Sequence, residues 1–95
     1  TKRRLQQVKV KFLSGFEKDL KRIKDKEQAK IILECIRIFE EADQLSEIQN
    51  IKKLKGHSTA YRYRKGKYRI GFYFENDTVI FAAFAPRGKI YKRFP

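Results

Sequence analysis

Residues 61–74, YRYRKGKYRIGFYF, set Arg62, Arg64, Lys67 and Arg69 in alternation with Tyr61, Tyr63, Tyr68, Ile70, Phe72 and Phe74. A period of two is the pattern of a half-buried strand, and Lys65–Gly66 reads as a two-residue hairpin turn. That turn pairs 64 with 67, 63 with 68, 62 with 69 and 61 with 70. Arg62 then lies opposite Arg69, and the cations share one sheet face. Like charges set directly opposite cost a few tenths of a kcal/mol, roughly. A face built for stability alone would carry Thr or Glu there. The chemistry such a face suits is the gripping of a phosphate chain. Tyr61, Tyr63 and Tyr68 could stack bases, but their spacing is that of a core face, and core is the preferred reading.

The rest of the composition agrees with a polyanion partner. The chain of 95 residues carries 24 Lys+Arg against 11 Asp+Glu, a formal +13. Residues 1–47 hold 12 basic and 9 acidic side chains, whereas residues 48–95 hold 12 and only 2, Glu75 and Asp77. A field so one-sided points to nucleic acid before an anionic membrane surface. No run of about 18 apolar residues exists, so no membrane-spanning helix is expected. TKRRLQQ at the N-terminus is basic, but no apolar run follows, so it is not a secretory signal. The chain begins at Thr1 and holds no Met, which implies a trimmed initiator or a fragment.

Cys35 is the single cysteine, so no internal disulfide forms, and one thiol suits a reducing cytosol, giving a cytoplasmic expectation. It sits in IILECIRIF on an apolar helical stripe and reads as a small buried hydrophobe. One Cys and one His supply no ligand cluster, so no metal and no cofactor is expected.

The elements that must position the cations follow from periodicity. VKVKF (8–12) alternates as a strand. Ser14 and Glu17 predict a capping box opening a helix over about 15–24. Asp25 predicts the cap of a second helix over about 26–43, whose stripes are Ile31, Cys35, Ile38, Ala42 and Ile32, Ile36, Phe39. QLSEIQNIKKLKG (44–56) reads as a connection in which Leu45, Ile48, Ile51 and Leu54 recur every three residues, so that either part of it is helical or they pin the loop to the core. Strands follow at about 59–64, 67–75 and 78–85, the last turning at Asn76–Asp77. Val79, Phe81 and Ala83 are expected on the core face, and Ile80, Ala82 and Phe84 on the other. KIYKRFP reads as a strand or a tail. The expected architecture is one α+β domain over 1–95, in the order β-α-α-β-β-β: an antiparallel sheet with two N-terminal helices packed on one face.

With these residues in place, IKKLKG, YRYRKGKYRIGF and PRGKIYKRFP together resemble the RelE/ParE superfamily of bacterial type II toxins. The match is dense from Ile51 to Pro95, while residues 8–43 agree only in element order and basic amphipathic helices. The resemblance implies a RelE-like, ribosome-dependent mRNA endonuclease, silenced by a cognate acidic antitoxin. It implies partners in the small-subunit rRNA of the ribosome and in mRNA. Cleavage would proceed by attack of a ribose 2′-OH on the adjacent phosphate, without metal. Carried over residue by residue, the catalytic set is Arg62, Arg64, Arg69, Arg87 and Tyr91. Lys52, Lys53, Lys55, Lys67 and Lys89 would bind RNA or the ribosome.

One departure matters. RelE proper carries lysines where this chain has Arg62 and Arg64, and an arginine grips phosphate well but is no base at physiological pH. Tyr91, His57, or a nearby Lys or Glu remain as bases; His57, in KGHST, precedes the active strand and reads first as a loop residue. Two other readings stay open. ParE-like toxins share the fold and poison DNA gyrase, though typically without the full cationic and tyrosine set. A non-catalytic RNA-binding module would use the same basic face but needs no Tyr91 beside Arg87.

Overall fold

Residues 8–95 are described in the computed structural model; the basic stretch TKRRLQQ lies outside the described residues. The chain runs β1 (Lys9–Phe12), α1 (Ser14–Arg22), α2 (Lys26–Glu41), a single 3₁₀ turn (Leu45–Glu47), β2 (Ile51–Lys53), β3 (Ala60–Lys65), β4 (Tyr68–Glu75), β5 (Thr78–Pro86) and α3 (Arg87–Arg93). The strands form one sheet in the order β1-β5-β4-β3-β2. All neighbours are antiparallel except β1, which pairs parallel with β5 from Lys9↔Thr78 to Phe12↔Phe81.

The α+β class and the helices on one face agree with the sequence reading. α1 and α2 lay Phe16, Ile32, Cys35, Ile36 and Phe39 on the sheet. Phe39 meets Tyr63, Phe72 and Phe81 edge-on at 5.1, 5.1 and 5.2 Å. Fully burying one such ring is worth about 1.5–3 kcal/mol. Tyr63 and Tyr68 are buried and Tyr61 stacks on Phe72 at 5.5 Å, so the tyrosines belong to the core. Asp25 caps α2 as expected, its carboxylate accepting from the Glu27 N–H at 2.8 Å. The outward residues of α2 include Leu33 and Ile38.

Several details differ from expectation. Leu13, not Ser14, occupies the cap of α1, and no side chain caps that end. The first hairpin turns at Gly66–Lys67, with Lys65 opposite Tyr68. Gly66 has φ of 58°, which suits the first central position of a two-residue turn that glycine favours. Arg62 therefore faces Gly71, and Arg64 is the residue opposite Arg69. The side-chain faces survive, because the register moved by two positions and not one.

The second hairpin contains a bulge: Phe72 pairs with Phe81 but Gly71 pairs with Ala83, leaving Ala82 extra. The alternation of β5 flips there. Phe84 joins Val79 and Phe81 in the helix-covered core, and Ala83 and Ala85 turn to the opposite face. That face is not bare. KIYKRFP is neither strand nor tail but most of α3, which seats Ile90 and Phe94 on Leu54, Ala60, Ala83 and Ala85. Gly71 makes the seat: a Cβ there would stand 2.2 Å from Phe94 Cγ. β2 is the other missed element, a three-residue edge strand inside the expected connection.

Candidate active site

β2, β3, β4 and α3 converge at one end of the sheet. Their side chains Lys52, Arg62, Arg64, Arg69 and Tyr91, with Asn50 and Ile51, line a cavity of about 280 Å³. The walls carry several cations and no carboxylate. Arg62 lies over the Tyr91 ring, its guanidinium carbon 4.5 Å from the ring centroid. This cation–π contact fixes the phenol of the half-exposed Tyr91 against β3. Arg62 Nε–H is buried with no hydrogen-bond acceptor among the described residues.

The opposed pair Arg64 and Arg69 is held apart by neutral acceptors. Arg69 Nη1 donates to the Gly66 and Tyr68 carbonyls, both at 2.8 Å. Arg64 Nη2 donates to Asn50 Oδ1 at 3.3 Å, and its N–H donates to the Asn50 carbonyl at 3.0 Å. Asn50 has φ of 67°, a left-handed conformation that asparagine tolerates better than most side chains. Nothing in the sequence marked Asn50; only its place ahead of an unrecognised strand does. Desolvation, followed by the charge of Arg87, pushes the Arg69 guanidinium below its ordinary value, with Arg64 and Arg62 adding to the push and Tyr91 opposing it.

Arg87 opens α3, its N–H donates to the Lys67 carbonyl at 2.9 Å and its charge acts on Arg69, but it is not among the residues lining the cavity. Four of the five residues of the expected catalytic set thus line one cavity, with Arg87 near enough to Arg69 for its charge to act there. The flanking lysines divide. Lys52 lines the cavity, and Lys52, Lys53 and Lys55 line a second depression with His57. Lys67 sits over the Tyr68 ring, 5.5 Å from its centroid, at the hairpin turn. Lys89 is exposed on α3 and lines neither space. His57 is not among the residues lining the cavity with Tyr91.

Residues 10–91 match the family described as ParE toxin of type II toxin-antitoxin system, parDE. Toxin RelE3 of Methanocaldococcus jannaschii is 38% identical over 92 residues, which span 93% of this chain and 100% of that protein. The chain belongs to the RelE/ParE superfamily of type II toxins.

Solved structures agree. The toxin superposes on the RelB–RelE antitoxin–toxin complex from Methanococcus jannaschii with a TM-score of 0.60 at 38% identity, covering 90% of this chain and 99% of that one. The archaeal RelE–RelB complex from Pyrococcus horikoshii OT3 gives 0.66 at 25% identity, covering 87% and 98%. No helix of the described residues is long and apolar enough to cross a membrane.

Proposed function

We propose that this toxin is a ribosome-dependent mRNA endonuclease that cuts the codon in the A site without metal, acts in the cytoplasm, and is silenced by an acidic antitoxin. One observation carries the reading: Arg62, Arg64 and Arg69 line a single cavity with Tyr91, and the charge of Arg87 acts on Arg69. The arrangement suits phosphodiester cleavage by an internal nucleophile. The 2′-OH loses its proton and its oxygen bonds to phosphorus. The P–O5′ bond then breaks, leaving a 2′,3′-cyclic phosphate, and the departing 5′-oxygen takes a proton.

Arg64 and Arg69 hold the scissile phosphate and spread the charge of the phosphorane. They are already docked on Asn50 and on the hairpin turn, so little reorganisation accompanies the reaction. Arg62 has a donor with no protein acceptor, the kind of unsatisfied group that functional sites retain. Tyr91 and Lys52 both line this cavity, and Tyr91, held against Arg62, is the side chain we assign to take the 2′-OH proton or orient that hydroxyl.

The RelB–RelE complexes of the relatives support an antitoxin partner for this chain. Leu33 and Ile38 on α2 and Phe12 and Leu13 before α1 offer it apolar surface. Phe84, expected on the outer face of its strand, is buried and offers none of this surface.

The ParE description of the matched family favours a second reading, inhibition of DNA gyrase. Primer-extension mapping of mRNA from cells expressing the toxin separates the two. New 5′ ends within codons, lost with Tyr91→Phe, are the expected result. Intact mRNA with gyrase-linked DNA breaks would move the protein to the gyrase poisons.

A further inference from the structure

The β2–β3 connection is built more firmly than a loop requires. Leu54 and Ala60 are buried under α3, and the Leu54 N–H donates to the Ala60 carbonyl at 2.9 Å. Inside that anchor the His57 N–H returns to the Leu54 carbonyl at 3.3 Å. Gly56 allows it by taking φ of 82°, a conformation that other residues adopt with difficulty. The turn so formed presents Lys55 and His57 beside Lys52, Lys53 and Arg62, around a depression of about 1090 Å³. No acidic side chain lines it. Lys52 and Arg62 also line the smaller cavity, so the two spaces share a wall.

We infer that this second depression is a subsite for the nucleotide next to the scissile phosphate, its backbone held by Lys52, Lys53 and Lys55 and its base stacked on the His57 ring. The inference rests on the RNA-cleaving reading and adds the substrate contact that the reaction itself does not use. An RNA strand whose phosphate lies among Arg62, Arg64 and Arg69 passes over the shared wall into the larger space. That space is large enough for a base and a sugar, being just above the roughly 300–1,000 Å³ typical of ligand sites. Cations that track the backbone beside a flat ring for a base are the means by which single strands are bound. Lysines serve as compact charges on flexible stems and tolerate variation in phosphate position. His57 thereby acquires a role in recognition and not as the base, since it does not line the cavity that holds Tyr91.

Amide chemical-shift mapping of the full chain tests this with an RNA trinucleotide whose attacking 2′-OH groups are removed. Inorganic phosphate at the same concentration runs beside it. The trinucleotide is expected to shift the amides of residues 54–58 together with those of Arg69 and Tyr91. His57→Ala should weaken the response at the turn about five-fold or more, the scale of one lost base stack, while the Arg69 response persists. Shifts at Arg69 and Tyr91 with the turn silent would overturn the subsite. So would equal shifts with phosphate alone, which would make it a bare anion site, or no shift in either region. Primer extension scores the cleavage reading separately, so either can fail while the other stands.

Discussion

Asp19 of α1 and Arg93 of α3 meet at 2.5 Å around the edge of β5, although their helices cover opposite faces of the sheet. β1 pairs with β5 only as far as Phe81, and beyond it Asp19 Oδ2 accepts the Phe84 N–H at 3.1 Å. One buried carboxylate thus satisfies the backbone just past the bulge and fastens the helix that carries Tyr91. Asp19→Ala leaves the Phe84 N–H without an acceptor, a loss of about 1–3 kcal/mol. Arg93 is 40% exposed, so water takes over its charge and adds little to that loss. Asp19→Asn keeps an acceptor and should lose less. Urea unfolding of the two variants checks the order; equal midpoints for Asp19→Ala and the wild type would mean the clasp contributes nothing.

Gly71→Ala should destabilise by about 1–3 kcal/mol, the usual cost of overpacking. The added methyl would overlap Phe94, at 2.2 Å from its Cγ. In a Phe94→Ala background the same change should cost less, because the obstructing ring is gone and only the Cβ of residue 94, at 2.8 Å, stays close. A double-mutant cycle by denaturant titration reads the coupling. Additive effects would show that Phe94 does not rest on Gly71.

Tyr91→Phe keeps the ring beneath Arg62 and removes only the hydroxyl. Single-turnover cleavage should fall by about 10²-fold or more, with ribosome affinity near that of the wild type. Lys53→Ala should do the reverse, weakening ribosome binding with a shallower salt dependence, since a phosphate contact is lost. Wild-type cleavage by Tyr91→Phe would reduce the tyrosine to a packing residue.

The core predicts its own alkaline limit. Burial pushes the Cys35 thiol up to about 11 from 9.0 and the Tyr63 hydroxyl up to about 12 from 10.0, with the tyrosine donating its hydrogen bond to the sulfur. Both groups hold their protons longer folded than unfolded. Their contribution is complete below pH 9 and is lost as pH rises through 11 and 12. Unfolding free energy measured from pH 8 upward should be level and then fall, and Cys35→Ala should delay the onset of that fall. A flat profile to pH 11 would refute the assignment. At neutral pH the native thiol should resist alkylation.

The hairpin faces were legible because alternation alone determines them. The register was not, because turns at Lys65–Gly66 and at Gly66–Lys67 preserve the same faces and only backbone conformation at Gly66 chooses between them. Consequently the cluster of cations was foreseen, while the partner of Arg69 was misassigned. The bulge at Ala82 has no mark in TVIFAAFAP, where a run of small residues fits either alternation. α3 was more accessible than the reading allowed. Ile90 and Phe94 stand four apart after Pro86, a helical spacing, and a helix there would have explained why β5 needs Ala83 and Ala85 on its outer face. β2 was obscured by its length, since three residues show no period.

The parallel pairing of β1 with β5 sets an order of assembly. Lys9 finds Thr78, 69 positions away, and closing so long a loop must precede any reward from the contact. The helices and the β3–β4 hairpin are local and can form first. A chain still being synthesised can then display Arg62, Arg64 and Arg69 on an open hairpin, yet it lacks Tyr91, the clasp to Asp19 and the closing strand pair. The toxin gains its complete cavity only after α3 has been made.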